Sequence, residues 1–524
     1  MIEKSQADDY ILVMDNITKV YGNGFVANKN VELKVKKGEI HALVGENGAG
    51  KSTLMKVLFG QEQPEEGKIY YKGQEVNITN PLVALHLGIG MVHQHFMLVP
   101  SLTVAENMVL GIEPKKGGLF DYKKAVNQAR EISEKYNLLV DPEAKVMDLP
   151  VGQKQKVEIL KVLFRGVEIL ILDEPTAVLT PQETRELFSE LLKLKENGYT
   201  VIFISHKLNE ITEICDRLTV LRNGRVTGTA DVKDLSEQRI SKMMVGRDVM
   251  LNIEKKDAVP KETVLQVKNL QHFNEHGKEV VKNVSFCVRK GEILGVAGVE
   301  GNGQKEISEL ITRLIPLKKG EVKINGEDTS NFTIRQIREK NVANISEDRM
   351  TYGSVSEATI SENIISDRFY KKEFNSYGLL KQKKINSEVD GLIKEYLIKC
   401  DGREALIKTL SGGNIQKVVV AREFSSDPDL IIANQPTRGI DVGASEFIRK
   451  RLIEMRDNGT AILLISADLT EIIEVSDSVI VMNSGEIAAY FPEAKNVDEN
   501  ILGEYMLGIK KQTSEEIGGA FYAD

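Results

Sequence analysis

The chain repeats itself once, at long range. Val35-Lys36-Lys37-Gly38-Glu39-Ile40 returns as Val288-Arg289-Lys290-Gly291-Glu292-Ile293, an offset of 253 residues. Gly45 and Gly298, Gly67 and Gly320, and Gly73 and Gly326 keep that spacing. Further on the offset is 261, where Leu149-Pro150-Val151-Gly152-Gln153 faces Leu410-Ser411-Gly412-Gly413-Asn414, so a length change of 8 residues lies in an intervening segment. Solenoid repeats run about 20–50 residues, so a period this long means two tandem domains. We place the first domain at 1–250, a polar linker at 251–262 around Glu254-Lys255-Lys256-Asp257 and Pro260, the second domain at 263–510, and a loose tail at 511–524. Each half alternates apolar runs (Ile40–Val44, Ile169–Leu172, Val201–Ile204) with segments of helical period. That pattern predicts an α/β fold built of βαβ units with a mostly parallel sheet.

Charge narrows the partners. Lys and Arg number 69 against 77 Asp and Glu, a net −8, which is no footprint for nucleic acid. Cys215, Cys287 and Cys400 are too widely spaced for a disulfide framework or a metal knuckle and read as small buried hydrophobes of a reducing compartment. The first residues carry no apolar stretch of signal-peptide type, and no run approaches the ~18 apolar residues of a membrane span. The expectation is a cytosolic chain whose membrane role, if any, comes through partners.

The first half carries a phosphate cradle, Gly45-Glu46-Asn47-Gly48-Ala49-Gly50-Lys51-Ser52-Thr53. It follows an apolar strand and opens a helix, the context that G-x-x-x-x-G-K-[ST] requires. Its glycines let successive N–H groups point at phosphate oxygens, and the helix N-terminus adds partial positive charge. Lys51 is expected on the β- and γ-phosphates and the Ser52 hydroxyl on Mg²⁺. Asp173-Glu174 ends a second apolar strand, where the ligand crevice of a parallel sheet opens. Asp173 would hold Mg²⁺ through water, and Glu174 would polarise the attacking water as general base. His206, after the strand Val201 to Ser205, is placed for a γ-phosphate contact, and Gln94 for sensing Mg²⁺ or the lytic water.

Assembled in this order, the motifs resemble those of ATP-binding-cassette ATPases over nearly the whole chain. The resemblance implies a RecA-like sheet core in each half, with an antiparallel β subdomain and a helical subdomain. It gives Tyr21 the role of the aromatic that stacks on adenine. Narrower stretches are similar to the double-cassette ATPases of bacterial sugar and nucleoside importers: Met91-Val92-His93-Gln94-His95-Phe96, Ser346-Glu347-Asp348-Arg349 and Gln435-Pro436-Thr437-Arg438-Gly439. Leu149-Pro150-Val151-Gly152, Gly298-Val299-Glu300-Gly301-Asn302-Gly303-Gln304 and Ala433-Asn434-Gln435-Pro436 look most like the nucleoside branch, with the ribose- and galactose-type branch as the alternative. That branch implies two transmembrane permease subunits and an extracellular or periplasmic solute-binding lipoprotein. The chain would then sit peripherally on the cytoplasmic face of the membrane, with one copy, or two, per transporter. The apolar Phe96-Met97-Leu98-Val99 fits a permease contact or burial under the helical subdomain. A soluble tandem-cassette translation factor, a non-catalytic nucleotide sensor and an efflux or metal-uptake ATPase are the competing readings.

The second half has lost the chemistry. Lys51 becomes Gln304 and Ser52 becomes Lys305, which is rotated about 100° around the helix and so no substitute. Gln94 becomes Glu347, Tyr21 becomes Asn274 beside Phe273, Asp173 becomes Asn434, Glu174 becomes Gln435 and His206 becomes Ala467. The signature segments reverse the pattern. Ser411, Gly412, Gly413 and Asn414 keep a hydroxyl, N–H groups and a helix start suited to a γ-phosphate, whereas Pro150 replaces the serine in the first half. By resemblance Asp441 matches the family's aspartate after the catalytic strand, and its counterpart is Thr180. Cassettes of this family pair head to tail. On that geometry every intact part falls to one ATP- and Mg²⁺-dependent hydrolytic site, and Pro150, Thr180 and the second-half replacements fall to a degenerate one.

Overall fold

The computed structural model describes residues 10–22, 24–94, 96–176, 179–205, 207–246, 255–275 and 277–522. The chain divides into two compact units, Met1–Val249 and Met250–Asp524.

In the first unit a six-stranded sheet runs Arg225–Asp231, Arg217–Arg222, Ile40–Gly45, Thr200–Ile204, Ile169–Asp173, Ile89–Val92. All pairings are parallel except the edge hairpin of Arg217–Arg222 with Arg225–Asp231. Every residue of Ile40–Gly45, Ile169–Asp173 and Thr200–Ile204 is buried. Strands covered on both faces must read as unbroken apolar runs, which is why these were visible in the sequence. A separate antiparallel sheet, Val26–Lys36, Tyr10–Val20, Glu66–Tyr71 and Gln74–Val76, packs its apolar side into the same core. Helices Val104–Val109, Tyr122–Lys135 and Val151–Leu163 contact one another as a helical subdomain.

The second unit repeats this plan strand for strand. Its six-stranded sheet runs Val342–Ile345, Leu430–Asn434, Ala461–Ile465, Ile293–Gly298, Ser478–Asn483, Glu486–Phe491. Its antiparallel sheet is Glu279–Arg289, Thr263–Phe273, Lys319–Ile324 and Glu327–Asp328. The 8 extra residues are not one insertion. Paired elements show three gained between Val342–Ile345 and the Thr359 cap, four before Asn375–Ser376, and one before Ile407–Thr409. The first of these enters just after Glu347 and lets Arg349–Gly353 close as a single π turn.

Two boundary expectations look different in three dimensions. Of the stretch read as a linker, 251–254 lie outside the described residues. The rest is pinned to the second unit: Arg456 Nη2 donates to Lys256 O at 3.0 Å and Lys261 N to Lys290 O at 3.0 Å. The segment read as a loose tail instead carries helix Ser514–Tyr522, which contacts strands Glu279–Arg289 and Glu486–Phe491 and buries Ala520. Its apolar signal is too short, and too diluted by Gly518 and Gly519, to register as a period.

Candidate nucleotide sites

Sheet register brings the first unit's functional loops together. Ile204 pairs with Leu43 on one side and with Asp173 on the other, so the loops after Gly45, Asp173 and Ile204 leave three adjacent strands at the carboxyl edge.

The loop after Ile40–Gly45 is shaped by its glycines. Gly48 and Gly50 have φ of 78° and 99°, and Gly50 caps helix Lys51–Leu58 in the left-handed region. A Cβ on Gly50 would lie 2.4 Å from both Ala27 O and Asn28 Nδ2, so no other residue fits. Asn28, itself buried, donates to Gly50 O at 3.1 Å. Lys51 is buried and donates from Nζ to Gly45 O at 2.7 Å and Glu46 O at 3.0 Å. Burial lowers its pKa, opposed by the carboxylates of Glu174, Asp173 and Glu46. Asn47 and Ala49 complete the turn, with Ala49 N donating to Glu46 O at 3.0 Å. Tyr21 lies beyond the end of strand Tyr10–Val20, its hydroxyl 3.4 Å from Thr53 Oγ1.

Asp173 ends its strand buried, and burial and then the neighbouring Glu174 push its carboxyl up to about 6, against Lys51 and a hydrogen bond from Ser52. Glu174 adopts φ 48°, held there by its N–H donating to Ile204 O at 3.0 Å. Gln94 Nε2 donates to Glu174 Oε2 at 2.9 Å. Lys51, Ser52, Gln94, Asp173 and Glu174 therefore form one connected group. His206, and His95, which follows Gln94 in the sequence, lie outside the described residues.

Sequence reasoning missed the brace behind this group. Buried Glu210 accepts from Thr176 Oγ1 at 2.6 Å and from Ser205 Oγ at 2.7 Å, tying the loop after Glu174 to the segment that leads into His206. The second unit repeats it with Glu471, Ser466 and Thr437. The signal was present: all three residue pairs recur at 261.

In the second unit the corresponding side chains bond to groups of their own unit. Gln304 Nε2 donates to Val299 O at 3.2 Å, Asn434 Nδ2 to Ser308 Oγ at 3.1 Å, and Gln435 Oε1 accepts from Ala467 N at 3.1 Å. Lys305 is exposed, its Nζ 3.9 Å from Glu309. Glu347 is paired with Arg438, whose Nη2 also reaches Glu300 at 3.4 Å. Asn274 takes the turn position of Tyr21 but accepts from Lys278 N at 3.0 Å.

The signature segments differ as their sequences do. Ser411 caps helix Gly412–Phe424, accepting from Asn414 Nδ2 at 2.8 Å, and Asp441 caps Val442–Asp457 with its other oxygen 2.5 Å from where a Gly413 Cβ would be. Pro150 caps Val151–Leu163 with no side-chain hydrogen bond, and Thr180 forms a capping box with Glu183 that faces Gly152.

Residues 28–177 and 281–438 each match the ABC transporter family, spans that include Lys51, Asp173 and Glu174 in the first unit and Gln304, Asn434 and Gln435 in the second. The chain belongs to that family. As an ABC ATPase it binds and hydrolyses ATP. It is 47% identical over 503 residues to the nucleoside import ATP-binding protein NupA of Lactococcus lactis subsp. cremoris (strain MG1363), covering 96% of this chain and 99% of that one. It is also 47% identical over 512 residues to the guanosine import ATP-binding protein NupO of Bacillus subtilis (strain 168), covering 98% and 99%. The galactose/methyl galactoside import ATP-binding protein MglA of Fusobacterium nucleatum is 38% identical, covering 94% and 98%. Among solved structures, one of an archaeal ribosome recycling factor bound to an archaeal ribosomal stalk protein superposes with a TM-score of 0.58 at 20% identity, covering 89% of this chain and 87% of that one, a likeness of fold alone.

Proposed function

We propose that this ABC ATPase energises nucleoside import, hydrolysing ATP at one site per chain. The observation that carries the one-site reading is the contrast between the two clefts: Lys51, Asp173, Glu174 and Gln94 form a charged, connected group, whereas Gln304, Asn434 and Gln435 are neutral and satisfied internally. The identity to relatives named for nucleoside and guanosine import, at 47%, against 38% for one named for galactose import, supports nucleosides over simple sugars.

The chemistry follows from the residues. Lys51 and the loop N–H groups hold the β- and γ-phosphates, and Tyr21 stacks on the adenine. Glu174, held by its strained backbone and by Gln94, orients the attacking water and takes its proton. Asp173 and the Ser52 hydroxyl, with the Gln94 carbonyl, are hard oxygen donors suited to Mg²⁺; burial and then Glu174 push the Asp173 carboxyl up to about 6, and a cation held there would favour its ionised form. These residues would hold Mg²⁺, which would supply positive charge to offset the negative charge developing on the phosphates. Among the described residues no cluster of three or more His, Cys, Asp or Glu could hold a metal ion. His206 would contact the γ-phosphate. In the head-to-tail arrangement that the resemblance implies, Ser411, Gly412, Gly413, Asn414 and Asp441 complete the site from the opposite side. ATP thus binds the cassettes together until cleavage removes the shared γ-phosphate.

Two permease subunits and a solute-binding lipoprotein complete the importer, with this chain peripheral on the cytoplasmic face. No helix among the described residues is long and apolar enough to cross a membrane. Met97 and Val99 in the first unit, and Met350, Tyr352 and Val355 in the second, are exposed after Gln94 and Glu347 and offer apolar contacts to the permeases, while Phe96 and Leu98 are half-buried. The test is steady-state hydrolysis by the purified full chain: Glu174→Gln should abolish it, and substantial remaining turnover would remove the one-site assignment. Uptake of radiolabelled guanosine, compared with ribose, in a deletion strain decides the solute class.

A further inference from the structure

We propose that Arg349 is a positioning residue for hydrolysis, holding the segment Gln435–Asp441 against the start of helix Gly412–Phe424. The inference rests on the reading that this signature segment serves the hydrolytic site. The Arg349 guanidinium donates to Arg438 O at 2.8 Å and to Gly439 O at 3.2 Å. The same Nη2 also lies against the signature helix: a Cβ on Gly412 would come within 2.9 Å of it. One planar, bidentate group therefore spans the segment that ends in Asp441 and the glycines that follow Ser411, a fork geometry that lysine lacks.

The backbone that presents Arg349 is itself secured. Asp348 caps the π turn, accepting from Met350 N at 3.0 Å and Thr351 N at 2.9 Å, and Ser354 Oγ donates to Arg349 O at 2.8 Å. The clamp is also reciprocal. The Arg438 side chain reaches back to Glu347, two residues before Arg349, so two arginines cross between the same two segments. Nothing similar can form in the first unit, which has no Arg or Lys between Gln94 and Thr103 and none between Glu174 and Thr180. The unit that keeps the signature serine keeps the clamp, and the unit that begins its signature helix with Pro150 has neither. The guanidinium also adds positive charge at a helix N-terminus whose N–H groups are to meet a phosphate.

The experiment measures kcat, KM for ATP and thermal melting of the purified full chain for Arg349→Ala, Arg349→Lys and Ser411→Ala. Arg349→Ala should lower kcat about tenfold, the size of effect for one charge-assisted hydrogen-bonding group. KM should stay within about twofold and the melting temperature near that of the parent, with Arg349→Lys intermediate. An Arg349→Ala chain with parental kcat, beside an impaired Ser411→Ala chain, overturns the role of Arg349 alone. A parental Ser411→Ala chain overturns the underlying reading and this inference with it. A kcat loss matched by a raised KM and a lowered melting temperature also overturns it, because the residue would then be merely structural.

Discussion

At Glu174 and Gln435 the backbone takes φ of 48° and 52°, in the left-handed region that costs a non-glycine residue of order 1–3 kcal/mol. Both N–H groups donate to the carbonyl that ends the neighbouring strand, Ile204 O at 3.0 Å and Ile465 O at 2.7 Å. The second unit has therefore kept the strained frame and exchanged only a carboxylate oxygen for an amide. Its other losses are of the same kind: Asn434 keeps the size of an aspartate but donates to Ser308, and Gln304 turns its amide to Val299 O. Restoring a single charge meets none of the remaining ones. Gln304→Lys should leave kcat of the full chain within about twofold of the parent, and a clear gain would assign hydrolysis to the second unit as well.

At the scale of elements, ionic contacts distinguish the two units. Buried Glu423, on helix Gly412–Phe424, is paired with Arg338 on helix Ile334–Glu339 and accepts from Asn344 N at 2.9 Å and Arg422 Nε at 2.9 Å. Burial alone would raise its pKa, but the Arg338 and Arg422 guanidinium groups outweigh it and hold the carboxyl at about 2. A folded pKa below the usual 4.5 means the pair's stabilisation is complete above that value and is lost as pH falls towards about 2. Glu423→Gln, which removes the buried carboxylate that Arg338 and Arg422 share, should cost about 3–5 kcal/mol near neutrality. Thermal melts from pH 7 downward should show the gap to the parent narrowing only below about pH 4.5; a gap independent of pH would separate the loss from ionisation.

For the whole molecule, one-site hydrolysis as proposed divides labour between two copies of one fold. Both units have the same strand order, so the asymmetry lies in side chains and not in topology. If the first unit alone turns over ATP, Lys51→Ala should abolish guanosine uptake in cells. Lys305→Ala, which removes only an exposed side chain beside Glu309, should leave uptake within about twofold. Equal losses from the two substitutions would contradict the division of labour.

The phosphate loop, the carboxylates at Asp173 and Glu174, the strand runs and the losses at Gln304, Asn434 and Gln435 were legible in the chain itself. Each depends on neighbours in sequence: glycines where a turn needs positive φ, unbroken apolar runs where a strand is covered on both faces, a carboxylate at a strand end. The brace of Glu210 with Thr176 and Ser205, the Arg349 clamp, the Arg338–Glu423 pair and the docking of Ser514–Tyr522 were decided by the tertiary structure. Apart from Ser205 with Glu210, five residues on, those contacts join residues far apart along the chain, whose attraction leaves no local period, and only the packing of strands and helices brings them within hydrogen-bonding reach.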